Sequence, residues 1–231
     1  MTTRTVLITG AGRGIGEALA RHCAGAGHVV IAGCRSPETA TALAQVSGVE
    51  LVRVDLRSPF DLGALAETLE ARAVDVLINN AGTMGEGWER QALGGAQTDA
   101  AWLEAFETNA IGPYRVVEAA LPALRRGAMR TVVNVSSVVS SLTHPPIGGL
   151  YQYRSTKAAL NAITVGLALD LAAEDFRVVA LHPGLVQTRM GGPDAPYTPE
   201  QSAAMIWRTI EGLPAAHSGR FLNVDGALLD W

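Results

Sequence analysis

The sequence predicts an α/β fold: a doubly wound parallel sheet of about seven strands in a single domain spanning 1–231. Two observations carry this. Short, β-branched apolar runs alternate with longer stretches of helical period, and a glycine-rich turn, TGAGRGIG, follows directly on the first run. The predicted strands are 5–9, 28–33, 49–54, 74–79, 130–136, 177–182 and 220–225, each brief and apolar on both faces, as a sheet covered on two sides requires. Helices are predicted near 14–25, 37–46, 59–72, 98–126, 150–174 and 199–212. Two Gly-rich stretches, 82–97 and 183–199, break the alternation. Both follow strands and so belong to the carboxyl edge of the sheet, where open α/β sheets bind ligands.

Composition narrows the function classes. Apolar residues make up 48% and charged residues 17%, the mark of a folded chain. The formal charge is −4 with no basic tract, which gives no case for a nucleic-acid surface. Cys23 and Cys34 are the only thiols and lack metal-site spacing, so no metal is expected and a reducing cytosol suits them. The start, MTTRTVLITG, has no apolar stretch and cleavage site of a signal peptide, and no run is long enough to span a bilayer. A cytoplasmic protein without membrane or nucleic-acid partners is expected.

Gly10, Gly14 and Gly16 stand in G-x-x-x-G-x-G spacing at the first strand–helix turn. A tight turn, close backbone approach and a helix N-terminus aimed at a pyrophosphate demand this pattern. A dinucleotide cofactor is expected there. At the end of the second strand, IAGCRSPE places Cys34 where a carboxylate would read a ribose hydroxyl, followed by Arg35 and Ser36. With Arg13 in the facing turn, two guanidinium forks suit a 2′-phosphate, which favours NADPH over NADH. Asp55 either accepts from an adenine amino group or caps the next helix, with Ser58 as the other cap candidate. In NNAG (79–82), Asn side chains can tie strand ends together while Gly82 admits the cofactor's sugar.

The chain writes 17 of its 18 basic residues as Arg; Lys157 is the exception. It lies four residues after Tyr153 in YQYRSTK, one helical turn away on the same face, whereas Tyr151 has no such partner. A free phenol titrates near pKa ~10, and a close ammonium favours the phenolate, so Lys157 is expected to lower the Tyr153 pKa. A compact ammonium also bonds a ribose diol in a way a planar fork does not. Ser137 closes the fifth strand at the same edge, and Asn109 puts an amide in a long helix where an apolar residue would otherwise be expected.

TGAGRGIG, NNAG, Asn109, Ser137, YRSTK and HPGLVQT stand in an order and spacing that resemble the short-chain dehydrogenase/reductase family over the whole chain, with its Rossmann-type fold. YQYRSTKAALNAIT, HPGLVQTRMGG and GRFLNVDGALLDW are similar to the sniffer-type and C-factor-type carbonyl reductases. The resemblance implies that Tyr153 is the catalytic acid/base, Lys157 its pKa modulator and ribose ligand, Ser137 the residue that orients the carbonyl, and Asn109 the support of a relay water. It implies cofactor contacts at Gly10, Arg13, Gly14, Ile15 and Gly16, at Arg35, Ser36, Asp55 and Leu56, and at Asn80, Ala81 and Gly82. Pro183, Gly184, Val186 and Thr188 complete that set, and Tyr153 and Lys157 face the same cofactor. The sequence departs from the family in two places: THPPIGG lengthens the segment before Tyr153, and Ser140 stands where a Gly is usual, leaving Ser136 as a second serine candidate.

The expected activity is reduction of a ketone or aldehyde to an alcohol by hydride transfer from NADPH, with Tyr153 as proton donor. The rival readings are an NAD(P)-linked alcohol dehydrogenase, a 3-oxoacyl-thioester reductase, and a signalling protein that senses NADPH without turnover. Met84, Trp88, Leu142, His144, Tyr151, Leu185 and Met190 are expected to line an apolar substrate pocket. Apolar positions persist over many turns of 98–126 and 150–174, where the family pairs subunits, so a homodimer or homotetramer is expected.

Overall fold

A computed structural model describes residues 2–143 and 148–231. Seven predicted strands form: β1 (Thr5–Thr9), β2 (Val29–Cys34), β3 (Val49–Arg53), β4 (Val76–Asn79), β5 (Thr131–Val135), β6 (Arg177–His182) and β7 (Phe221–Asn223). An eighth, β8 (Leu228–Leu229), was not foreseen; it is too short to show a period and returns antiparallel on β7. The order across the sheet is β3-β2-β1-β4-β5-β6-β7-β8, parallel from β3 through β7. The order reverses between β1 and β4, which leaves a crevice at their carboxyl ends.

Alternate residues of the central strands feed two core layers, the period-2 geometry of a covered sheet. Val6, Ile8, Ile78 and Leu181 pack under α1 (Gly14–Gly25) and α7 (Pro199–Glu211), meeting Leu19, Ile206 and Trp207. Leu7, Ile31, Leu77 and Val132 face the other way, against Leu65 and Leu69 of α3 (Pro59–Leu69) and Val116 and Leu124 of α5 (Gly112–Arg126). Among the described residues no helix is long and apolar enough to cross a membrane, and no group of three or more His, Cys, Asp or Glu is placed to hold a metal ion.

Helix ends follow local chemistry. Ser58 accepts from the Asp61 amide and Pro59 opens α3; Thr198 and Gln201 form a capping box at α7. The predicted helix 37–46 shrinks to a 3₁₀ turn at Pro37–Thr39 and the single turn α2 (Thr41–Ala44). The predicted helix 98–126 is three pieces: α4 (Asp99–Phe106), one π-helical turn (Glu107–Ile111) and α5. The longest described helix, α6 (Tyr151–Asp170), ends before the predicted 174, where a separate 3₁₀ turn covers Ala172–Glu174.

Candidate active site

The glycine turn is held to the end of β4 by side-chain bonds. Thr9 Oγ1 accepts from the amides of Asn80 and Ala81 at 3.1 and 3.2 Å, and Asn80 Nδ2 donates to the carbonyls of Thr9 and Gly10 at 3.0 and 3.3 Å. Gly10 has φ +68°, and a β-carbon there would lie 2.7 Å from Ala81 Cα; one on Gly16 would collide with Gly10 O and stand 2.5 Å from Asn80 Nδ2. Arg13, at the N-cap position of the first helix, makes no side-chain capping bond. Backbone that admits nothing larger than hydrogen, beside free helix amides, is a cradle that fits a pyrophosphate. A β-carbon on Gly14 would be 3.4 Å from Thr188 Cγ2, so the loop after β6 forms the facing wall. In that loop Pro183 O accepts from Ser202 Oγ at 2.7 Å, Gly184 takes φ +81° against the Tyr197 ring, and Val186 bridges Tyr197. Ile15 and Ala81 pack partly into the two cores, and the Leu56 side chain is buried in the second of them.

The turn also leans on β2: Ala11 N donates to Gly33 O at 3.0 Å, and a β-carbon on Gly12 would stand 3.4 Å from Cys34 Cβ. This brings the segments carrying Arg13 and Arg35 together. Both are exposed, and neither guanidinium has a hydrogen bond or ion pair among the described residues. Ser36 lends its carbonyl to the Thr39 hydroxyl. Burial first, then the Glu38 charge, raises the Cys34 thiol above its ordinary range. The capping role left open for Asp55 falls to Ser58; Asp55 Oδ1 instead accepts from Arg57 N at 3.0 Å.

The polar residues expected to do chemistry meet around Gly82. A β-carbon there would lie 3.2 Å from Asn109 Oδ1 and 3.4 Å from Lys157 Nζ. Asn109 owes its place to the π-helical turn, the kind of bulge that re-aims one side chain inside a helix. Its amide is fixed on three sides: Nδ2 donates to Thr83 O (2.8 Å) and Thr156 Oγ1 (2.9 Å), and Oδ1 accepts from Thr83 N (2.8 Å). Lys157 is buried and donates to Val135 O at 2.7 Å, with Nζ 6.0 Å from the centroid of the Tyr153 ring. Burial lowers its pKa to about 8. Tyr153 is buried as well, with the Ser137 side chain near enough to favour its phenolate, while Tyr151 is exposed.

One expectation is corrected. Burial raises the Tyr153 phenol above its ordinary range, and the Ser137 hydrogen bond only partly opposes that rise. Desolvation penalises the phenolate, and the ammonium spends its short bond on Val135 O.

Ser136, the second serine candidate, is buried and its hydroxyl is committed to Asn161 Oδ1 at 2.6 Å. Ser140 also finds a purpose: it accepts from Asn161 Nδ2 and donates to Ser137 O at 2.5 Å, bracing the residue that reaches the phenol. The expected apolar pocket does not close. Trp88, Leu142, Tyr151, Leu185 and Met190 are 38–76% exposed, Met84 is half buried, and His144 lies outside the described residues. A cavity of about 350 Å³ lies between α7 and β7, and one of about 180 Å³ lies on α6 beside Leu142 and Trp231; neither touches Tyr153 or Lys157. Gln91, Gln152, Thr156 and Asn161, all buried and bonded around Tyr153, were not foreseen. Thr156 and Asn161 share the helix face of Tyr153 and Lys157, a signal the sequence did contain. Gln91 ends a single 3₁₀ turn (Trp88–Gln91), too short for a period to reveal it.

Residues 4–196 match the short chain dehydrogenase family. The chain is 46% identical over 168 residues to the C-signal of Myxococcus xanthus, covering 73% of this chain and 99% of that protein. It superposes on the carbonyl reductase Sniffer of D. melanogaster with a TM-score of 0.90 at 31% identity, and on an NADPH-bound carbonyl reductase from chicken fatty liver with 0.90 at 29%, each over the full length of both chains. With a glycine cradle at the β1–β4 crevice and Asn109, Ser137, Tyr153 and Lys157 gathered beside it, the chain belongs to the short-chain dehydrogenase/reductase family of oxidoreductases.

Proposed function

We propose that the protein reduces a ketone or aldehyde to the alcohol with NADPH. The observation that carries this reading is the convergence on Gly82 of Asn109 Oδ1 and Lys157 Nζ, beside a buried Tyr153–Ser137 pair. When bound, NADPH supplies the hydride to the carbonyl carbon. Residues 10–16, Asn80 to Gly82 and 183–188 would hold it, with Arg13, Arg35 and Ser36 toward a 2′-phosphate, Asp55 toward the adenine and Lys157 toward the ribose.

Tyr153 donates its phenolic proton to the carbonyl oxygen, and Ser137 holds that oxygen by a second hydrogen bond, two donors set where negative charge develops. A phenol raised by burial stays protonated at neutral pH, the form a donor needs. Lys157 keeps its charge below about pH 8 and opposes the charge left on Tyr153 after transfer. Asn109, held by Thr83 and Thr156, would support a relay water beside Lys157. The exposed apolar side chains Trp88, Leu185 and Met190 favour an uncharged carbonyl compound, and the fold fits a cytoplasmic enzyme working as a dimer or tetramer. The likeness to C-signal favours one second reading, an NADPH-binding signalling protein; the complete set of four polar residues argues for turnover. A panel of ketones and aldehydes, read by NADPH oxidation and chiral analysis of products, separates the two: no oxidation with any carbonyl, alongside tight NADPH binding, contradicts the reductase reading and favours the signalling one.

A further inference from the structure

We infer that Gln91, in the loop between β4 and α4, positions Tyr153 by capping, from a distant part of the chain, the helix that carries it. This deepens the reductase reading and rests on it. The sixth helix starts without a cap of its own: Leu150 stands at the N-cap in left-handed backbone (φ 53°) and makes no capping bond. Its first intrahelical bond is Arg154 N to Leu150 O at 2.8 Å, so the Tyr153 amide has no partner inside the helix. That amide is buried and donates to Gln91 Oε1 at 3.1 Å.

Gln91 is itself fully buried, and its Nε2 donates to the carbonyls of Met84 and Glu86. One planar amide thus accepts from the helix and donates to the loop, which a carboxylate or a hydroxyl cannot do in the same geometry. Gln152 makes the reverse tie: Oε1 accepts from Glu86 N at 2.9 Å and Nε2 donates to Glu86 Oε2 at 3.0 Å. Glu86 is fixed further by Thr98 N and Arg90. Gly85, at φ +76°, would put a β-carbon 2.5 Å from Gln152 Oε1, so the two segments meet without spare room. The loop over the cleft and the first turn of the catalytic helix therefore form one packed unit.

Lys157 lies a turn deeper and is anchored to Val135 O, so loss of the Gln91 cap displaces the phenol relative to Ser137 while the ammonium keeps its place. Proton transfer, and not cofactor binding, is the step Gln91 serves.

The test uses Gln91→Met, close in size and without polar atoms, with the best carbonyl of the panel. The expected result is a kcat lowered about ten- to a hundredfold, as a misplaced donor gives, with KM and NADPH affinity within about twofold and a larger solvent deuterium isotope effect on kcat. Gln91→Glu keeps an acceptor toward Tyr153 but turns a carboxylate oxygen on the carbonyls of Met84 and Glu86, so its kcat should fall as that of Gln91→Met does, whereas a merely structural role would lower thermal stability in both variants and leave kcat alone. Hydrogen exchange in the unaltered protein covers a variant that fails to fold: the Tyr153 amide should be protected like the helix interior, and exchange as fast as that of Tyr151 overturns the inference. So does a Gln91→Met enzyme with wild-type kcat. Tyr153→Phe run in parallel separates the two levels, since its activity would sink the proton-donor reading itself.

Discussion

Lys157 is the only lysine in the chain, and the fold buries its amine. Burial moves its pKa from 10.5 down to about 8. The folded protein thus gives up this proton at lower pH than the unfolded chain does. Between pH about 8 and 10.5 the unfolded state binds more protons, and stability rises with pH across that window. A lowering of this size amounts to roughly 3 kcal/mol of stability forgone at neutral pH, before the bond to Val135 O offsets part of it. Lys157→Met should therefore be inactive yet more resistant to urea than the native protein at pH 7, and the gap should close as pH approaches 10.5. A gap independent of pH would contradict the burial account. The residue is kept for chemistry at the expense of stability, a common pattern at active sites.

At the scale of elements, the strands and the glycine turn were legible because their signals are local. A β-branched run, or three glycines after it, needs no distant partner to be recognised. Tyr153 and Lys157 were legible for the same reason, being one turn apart on one helix. The π-helical turn that aims Asn109 was not, because a single extra residue in a helix leaves no mark on apolar periodicity. Gln91 was hidden too, since its purpose lies in a contact made across the fold. The paired loops that present Arg13 and Arg35 belong to this scale: neither arginine alone makes a phosphate site, and the Ala11–Gly33 hydrogen bond and the close approach of Gly12 to Cys34 bring their segments together. Arg35→Asp should raise KM for NADPH tenfold or more, about what one lost charge-assisted contact costs, and leave KM for NADH little changed. Equal effects on both cofactors, or NADH as the better substrate of the native enzyme, would remove the 2′-phosphate assignment.

On the scale of the whole molecule, the sheet's reversal between β1 and β4 places the cofactor cradle centrally, and β5 and α6 bring the reacting groups to the same edge. Leu103, Ile111, Tyr114 and Leu169, on the segment from α4 to α5 and on α6, are exposed side chains that a second copy could cover. Light scattering at micromolar concentration should report a dimer or tetramer; a monomer would mean those side chains face water. The proposal for the molecule rests on a phenol delivering its proton next to a bound nicotinamide. Single-turnover reduction with enzyme in excess over NADPH tests this most directly, comparing the native protein with Tyr153→Phe. Tyr153→Phe should bind NADPH normally and oxidise it slower by a factor on the order of a hundred or more, the contribution expected of a positioned proton donor. Oxidation at the native rate would contradict the account.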